Sequence, residues 1–220
     1  MNRHIRRLAS LVALAALVAG CSSTSETEDA TTSATPFGIA RAAIGQMRAE
    51  RQAAANPAPP RDPQAVAAEA LSVNPGPLIM VGLEQMGTTQ VLAMTGENGG
   101  MRTYMTSNEQ ALIMRGFMLT GTRGLGNDLS VAEASQSAAL IAAGRSGTAR
   151  RVMRYYSGDG LERPIDFTCQ VGRGPNAGVM VEDCSGHGLS FQNSYLPSSG
   201  VSRQWVGPAL GYVTIQVLRP

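Results

Sequence analysis

The sequence predicts a mainly β fold: an antiparallel barrel-like or sandwich domain over residues 78–220, with short helices on its N-terminal side. Three observations carry that expectation. From Leu78 onward the chain breaks into short apolar runs punctuated by glycine, asparagine and threonine. Several runs alternate strictly, as where Ile165, Phe167, Cys169 and Val171 interleave with Asp166, Thr168, Gln170 and Gly172, which gives one apolar face and one wet face. The pairing of a capping residue with a following proline, Thr35-Pro36 and Asp62-Pro63, falls upstream of these runs.

Residues 1–20 read as a secretory signal. Arg3, Arg6 and Arg7 form a basic start, and an uncharged run follows from Leu8 to Gly20. A membrane-spanning helix needs about 20 apolar residues, and this run ends sooner, before the polar stretch that begins at Ser22. Val18-Ala19-Gly20-Cys21 matches a bacterial lipobox, in which small residues fit the signal peptidase and the cysteine sulfur accepts a diacylglyceryl group. An ordinary signal peptide with an incidental cysteine is the competing reading, but basic start, apolar core, small residues and cysteine at the cut coincide here. Cys21 is therefore the expected lipidation site and the membrane the expected partner. Each buried methylene contributes about 0.8 kcal/mol, and stable anchoring takes two acyl-scale signals, which a lipoprotein supplies. Ser22, where an Asp favours inner-membrane retention in many bacteria, points to the outer membrane, periplasmic face.

Processing changes the charge. Three of the 18 basic residues lie in the signal, which leaves 15 against 16 acidic residues, so the basic balance of the precursor belongs to its leader. No arginine-rich patch stands out in the mature chain, which argues against a nucleic-acid partner. Aromatic residues make up only 5%, so methionine and alanine must fill much of the core. Besides Cys21 the chain has Cys169 and Cys184, and export places both in an oxidising compartment where a disulfide is expected. The loop it closes, about 15 residues, corresponds to about 3 kcal/mol of stabilisation in the chain-entropy account.

The elements follow in order. Residues 21–36 are a lipidated flexible tether: 22–35 hold no large apolar side chain and reach at most about 50 Å when extended. Residues 37–77 form a helical, proline-rich segment. Ile39, Ala43, Ile44 and Met47 fall near one helical face, Asn56-Pro57-Ala58-Pro59-Pro60 breaks it, and Asp62-Pro63 starts a second short helix to about Leu71. Strands are expected at 78–84, 88–95, 101–106, 110–115 and 117–123, with Glu97-Asn98-Gly99-Gly100 as a turn. Ser130 with Glu133 resembles a capping box for a helix over 131–143 that Gly144 ends. Later strands are marked by Leu189, Phe191, Asn193 and Tyr195, by Val201, Arg203 and Trp205, and by Val213, Ile215 and Val217. A flexible loop at 172–178 would bring Cys169 near Cys184.

Catalytic candidates are sparse. His187 is the one histidine left after the signal, and no Gly-x-Ser-x-Gly elbow nominates a serine for it. Cys184-x-x-His187 has the spacing of half a zinc site, but a cysteine pair across a hairpin favours a disulfide, and Ser185-Gly186-His187-Gly188 reads as a turn. No metal or cofactor is expected. Arg150, Arg151 and Arg154 with Tyr155 and Tyr156 could hold an anionic glycan, against the simpler reading of a strand showing its arginines to solvent. Glu182 and Asp183, as neighbours on a strand, point to opposite faces, a poor arrangement for two-carboxylate glycoside hydrolysis. Trp205, the sole tryptophan, precedes the strand-breaking Gly207-Pro208; it either packs in the core or presents an aromatic to a partner, and Tyr212 shares the ambiguity.

Two stretches carry a resemblance. The ending from Ser202 through Trp205, Gly207-Pro208 and Gly211 to Pro220, and the run from Gly116 through Thr122-Arg123-Gly124-Leu125 to Leu129, resemble the YjbF/GfcB family of lipoproteins linked to exopolysaccharide and group 4 capsule production. The resemblance implies a mainly β, barrel-like domain and a non-catalytic role in polysaccharide export or assembly, beside an outer-membrane polysaccharide export protein as partner. Read from the residues themselves, Trp205, Tyr212 and Arg123 are candidate contacts for a partner or for polysaccharide. A glycan-modifying periplasmic enzyme and a general envelope scaffold or stress lipoprotein are the alternatives.

Overall fold

A computed structural model describes residues 62–156 and 158–220. The expected helix near residues 37–50, the tether and Cys21 lie outside the described residues.

The first described helix, α1 (Pro63–Val73), begins as its sequence dictates. Asp62 caps it by accepting the Gln64 amide at 3.0 Å, and Pro63 takes the first helical turn, where its missing N–H costs nothing. Its C-terminal carbonyls are tied to the far end of the chain. Arg219 donates to the carbonyls of Leu71, at 3.0 Å, and of Asn74, while Asn74 in turn caps the Gly76 amide at 2.9 Å.

Twelve antiparallel strands follow: β1 (Leu78–Leu83), β2 (Thr88–Asn98), β3 (Met101–Met105), β4 (Ala111–Arg115), β5 (Met118–Arg123), β6 (Leu129–Glu133), β7 (Gly147–Tyr156), β8 (Glu162–Arg173), β9 (Met180–Gly186), β10 (Leu189–Leu196), β11 (Val201–Gly207) and β12 (Gly211–Arg219). They form one sheet, ordered β5-β4-β3-β2-β1-β12-β11-β10-β9-β8-β7-β6. The path is a meander that bends round until β1 pairs with β12, Val81 opposite Ile215. The sheet edges are thus β5 and β6, which follow each other in the chain and lie side by side, and the result is a nearly closed barrel. The predicted mainly β, barrel-like class is what the chain adopts.

Turn chemistry sets the register. Gly99 and Gly100 both have positive φ, 56° and 76°, in the two-residue loop between β2 and β3. His187 and Gly188, at 50° and 74°, make the equivalent loop between β9 and β10. Cys169 and Cys184 sit directly opposite each other in the β8–β9 ladder with Cα atoms 4.0 Å apart, and a disulfide joins them.

The apolar side of the strands faces inward. Leu112 and Met114, Phe167 and Cys169, Phe191, and Val213 and Ile215 meet in one core; leucine, valine and isoleucine supply most of the rest, where methionine and alanine were expected to. Phe167, Phe191 and Trp205 pack as an aromatic trio, the Phe191 and Trp205 rings stacked with centroids 4.4 Å apart. Outward positions such as Thr148, Arg150, Thr168, Gln170 and Asp183 are exposed and polar, the inverse of a membrane-embedded barrel.

Two local expectations fail. The segment that looked like a capping box and helix start is strand β6, and the helix, α2 (Ser135–Ala142), starts later. Ser130 is drawn into the wall, where its hydroxyl donates to Glu162, and Leu129 and Ser130 are buried against the core. In β11 the inward residues are Ser202 and Gln204, not Val201 and Arg203. The β10–β11 ladder covers only Ser194–Leu196 with Val201–Arg203; above it the Asn193 side chain accepts the Trp205 amide at 2.7 Å, and Trp205 and Val206 are both buried. The β11–β12 ladder shifts register between Trp205 and Gly207, and that bulge breaks the alternation that the sequence displays.

Candidate functional site

Every strand has a backbone-paired neighbour on each side except at the β5–β6 seam, which side chains close. The two backbones approach closely: a Cβ on Gly121 would stand 3.2 Å from the Ser130 carbonyl oxygen. Buried Thr122 donates its hydroxyl to Asp128 Oδ1 at 2.8 Å and accepts the Leu129 amide at 2.9 Å. Asp128 also accepts the amides of Gly124 at 2.9 Å and Leu125 at 3.2 Å, which folds the intervening turn back over the barrel end. Gly124, at φ 75°, could not carry a side chain, since its Cβ would meet the Glu109 carbonyl at 2.9 Å. Arg123 donates to the carbonyls of Thr122, Leu129 and Ser130 at 2.5, 3.2 and 3.3 Å, so this candidate contact is a clasp across the seam.

Inside the barrel, under α2, lies a buried ionic cluster. Arg151 and Glu182 are both fully buried and 3.0 Å apart; Asn193 Nδ2 and the Tyr195 hydroxyl donate to the same carboxylate oxygen at 2.8 and 3.0 Å. Burial pushes the Glu182 carboxyl up, but the Arg151 charge and the surrounding hydrogen bonds outweigh it and hold the group below the usual carboxylate range. Burial raises the Tyr195 hydroxyl and keeps it protonated as a donor. The expectation that the arginines of this strand all face solvent is corrected here: Arg150 and Arg154 pair outside with Asp166 and Glu133, while strand alternation turns Arg151 inward with Ala149 and Met153. Glu182 and Asp183 do point to opposite faces.

Among the described residues, Cys169, Cys184 and Glu182 are the one grouping with metal-ligand atoms close together. Their chemistry does not suit a cation, because the sulfurs are spent in the disulfide and the carboxylate is spent on Arg151. His187 is exposed in its tight turn.

At the end of the barrel where β5, β7 and β11 finish, a pocket of about 590 Å³ opens. Three turns build it: Gly126–Asp128 after β5, Tyr155 and Tyr156 with Arg163 and Ile165 from the β7–β8 hairpin, and Gly207-Pro208-Ala209 after β11. Tyr155 spans the mouth and donates its hydroxyl to the Val206 carbonyl at 2.6 Å. Burial raises that hydroxyl well above the ordinary phenol range, against a smaller opposing effect of the Arg151 charge, so it remains a donor. Gly207 lets the ring approach closely, since a Cβ there would lie 3.2 Å from the tyrosine ring. On the rim, Arg163 pairs with Asp159 at 2.5 Å and Tyr156 is 67% exposed.

The other candidate contacts lie apart from this mouth. Trp205 is 7% exposed and stacked on Phe191 in the core. Tyr212 is half-buried on β12, with the Arg203 guanidinium 3.5 Å above its ring and its hydroxyl accepting the Gln192 amide at 3.1 Å. Glu84 completes that cluster with two 2.7 Å contacts to Arg203, the first cause of its lowered carboxyl. Arg163 and Asn127 were not nominated by sequence because nothing in their local pattern reports that three distant turns converge.

No curated protein sequence matches the chain. Among solved structures, the hypothetical lipoprotein YmcC from Escherichia coli (K12) is similar, with a TM-score of 0.57 at 16% identity, covering 86% of this chain and 98% of that one, which shows a shared fold. The family model described as group 4 capsule polysaccharide lipoprotein gfcB, YjbF, matches residues 39–218. With most of its length inside that match, the chain belongs to the YjbF family of capsule-associated lipoproteins.

Proposed function

We propose that the protein is an outer-membrane lipoprotein, anchored through Cys21 and facing the periplasm, that assists secretion or assembly of a surface polysaccharide without catalysing a step. The family match over residues 39–218, placed behind a lipobox, is the observation that carries this reading. The chemistry of the barrel supports a binding or assembly role. Its buried charges, Arg151 and Glu182, pair with each other, and the Glu182 carboxylate also accepts from Asn193 and Tyr195. Its histidine stands exposed in a two-residue turn, flanked by Gly186 and Gly188. A polysaccharide export protein of the outer membrane is the partner this role requires.

Deleting the gene in a strain that secretes the polymer tests the reading. Surface polysaccharide is expected to fall and to return on complementation; unchanged polymer would contradict the role. Complementation by His187→Ala separates the enzymatic alternative, since full restoration is expected and its failure would favour catalysis.

A further inference from the structure

We infer that the pocket at the barrel mouth is a saccharide-binding site that takes a pyranose unit of the polymer, an inference that rests on the polysaccharide role proposed above. The pocket lies where the two stretches of the family resemblance meet in space. Gly126–Asp128 comes from the first and Gly207-Pro208-Ala209 from the second, some eighty positions apart in the chain, and together with the β7–β8 hairpin they enclose one cavity.

Its chemistry matches a sugar. A pyranose has an apolar C–H face bordered by hydroxyls, so its receptor needs an aromatic or aliphatic surface edged by planar polar groups. Tyr155, Tyr156, Ile165 and Pro208 supply the first, and the Asn127 amide, the Asp128 carboxylate and the Arg163 guanidinium supply the second. The Arg163–Asp159 pair offers donors beside acceptors, the arrangement that adjacent hydroxyls bridge. A volume of about 590 Å³ lies within the range of small-molecule sites.

The frame is pre-organised, which lowers the cost of ordering it around a ligand. Asp128 is fixed by Thr122 and by two backbone amides, and Tyr155 by the Val206 carbonyl and the flat approach of Gly207. The mouth also lies away from the point where α1 enters the wall. The chain passes from α1 into β1 at the opposite end of the barrel, one strand length or about 20 Å away. A long polymer could therefore meet the mouth without crossing the point where α1 joins the wall.

The test is calorimetric titration of the mature, acylated chain in detergent with oligosaccharides cut from the polymer of the producing strain. Ala209→Trp, which fills the cavity, and the pair Tyr156→Ala with Arg163→Ala are each expected to weaken binding tenfold or more, with melting temperature kept. Arg173→Ala, at the other end of the barrel, is expected to leave binding unchanged. Oligosaccharide binding that is indifferent to both mouth variants would place the sugar elsewhere and overturn the site. Absence of binding by the wild-type chain would overturn it too, while a deletion strain that still loses its surface polymer would leave the broader role standing.

Discussion

Arg151 Nη1 and Glu182 Oε2 lie 3.0 Å apart inside the barrel with neither side chain exposed to solvent, two strands apart on β7 and β9. Mutual attraction offsets part of the desolvation of each charge; losing one partner leaves the other desolvated and unpaired. Glu182→Leu alone is expected to cost about 3–5 kcal/mol in urea unfolding, and Arg151→Met combined with Glu182→Leu to recover a large part of that loss. A double variant no more stable than the single one would contradict the account of the cluster.

The same carboxylate sets an acid limit. Its folded pKa is depressed, so its contribution is complete above the unfolded value of about 4.3 and is lost as pH falls through the lower folded value. Unfolding free energy is therefore expected to decline below about pH 4, and Glu182→Gln should show a flatter acid limb. Parallel acid limbs in urea titrations of the two proteins would refute the assignment.

The seam between β5 and β6 depends on Thr122 rather than on a backbone ladder. Thr122→Val keeps the shape but leaves the Leu129 amide without its acceptor and removes one of the three donors to Asp128. The expected cost is about 1–3 kcal/mol, with faster hydrogen exchange concentrated in residues 118–133. Uniform acceleration across all strands would show that the seam is not a local weak point.

The disulfide is expected to be complete in periplasmic material, so neither Cys169 nor Cys184 should alkylate under denaturing conditions until reductant is added, as intact mass would register. Replacing both by alanine is expected to cost about 3 kcal/mol, given a loop of 15 residues. A loss near zero would mean that the hairpin register alone supplies the constraint.

Much of the barrel is legible in the chain. Period-2 alternation places Phe167, Cys169 and Val171 inward, and the glycine pair at 99 and 100 places a hairpin, because these signals are local. What escapes is whatever depends on a distant strand. Gln204 sits inward because its side chain accepts the Leu119 amide at 2.9 Å and donates to the Phe117 carbonyl at 2.8 Å, both on the far side of the barrel. Arg151 looks like a surface arginine until Glu182 supplies its partner, and β6 reads as a helix start because Ser130 and Glu133 have the spacing of a cap. The mouth pocket is hidden for the same reason, being made from three turns that sequence separates.

The central claim concerns the passage of a polymer to the cell surface, and fractionating that polymer in a deletion strain tests it most directly. Surface-exposed and envelope-retained polysaccharide would be measured separately, with complementation by the wild-type gene and by Cys21→Ala. The account predicts that surface polymer falls in the deletion strain while polymer retained in the envelope persists or rises. It further predicts that the wild type restores export and the unlipidated variant does not. Surface polymer equal to that of the parent strain in the deletion mutant would contradict it.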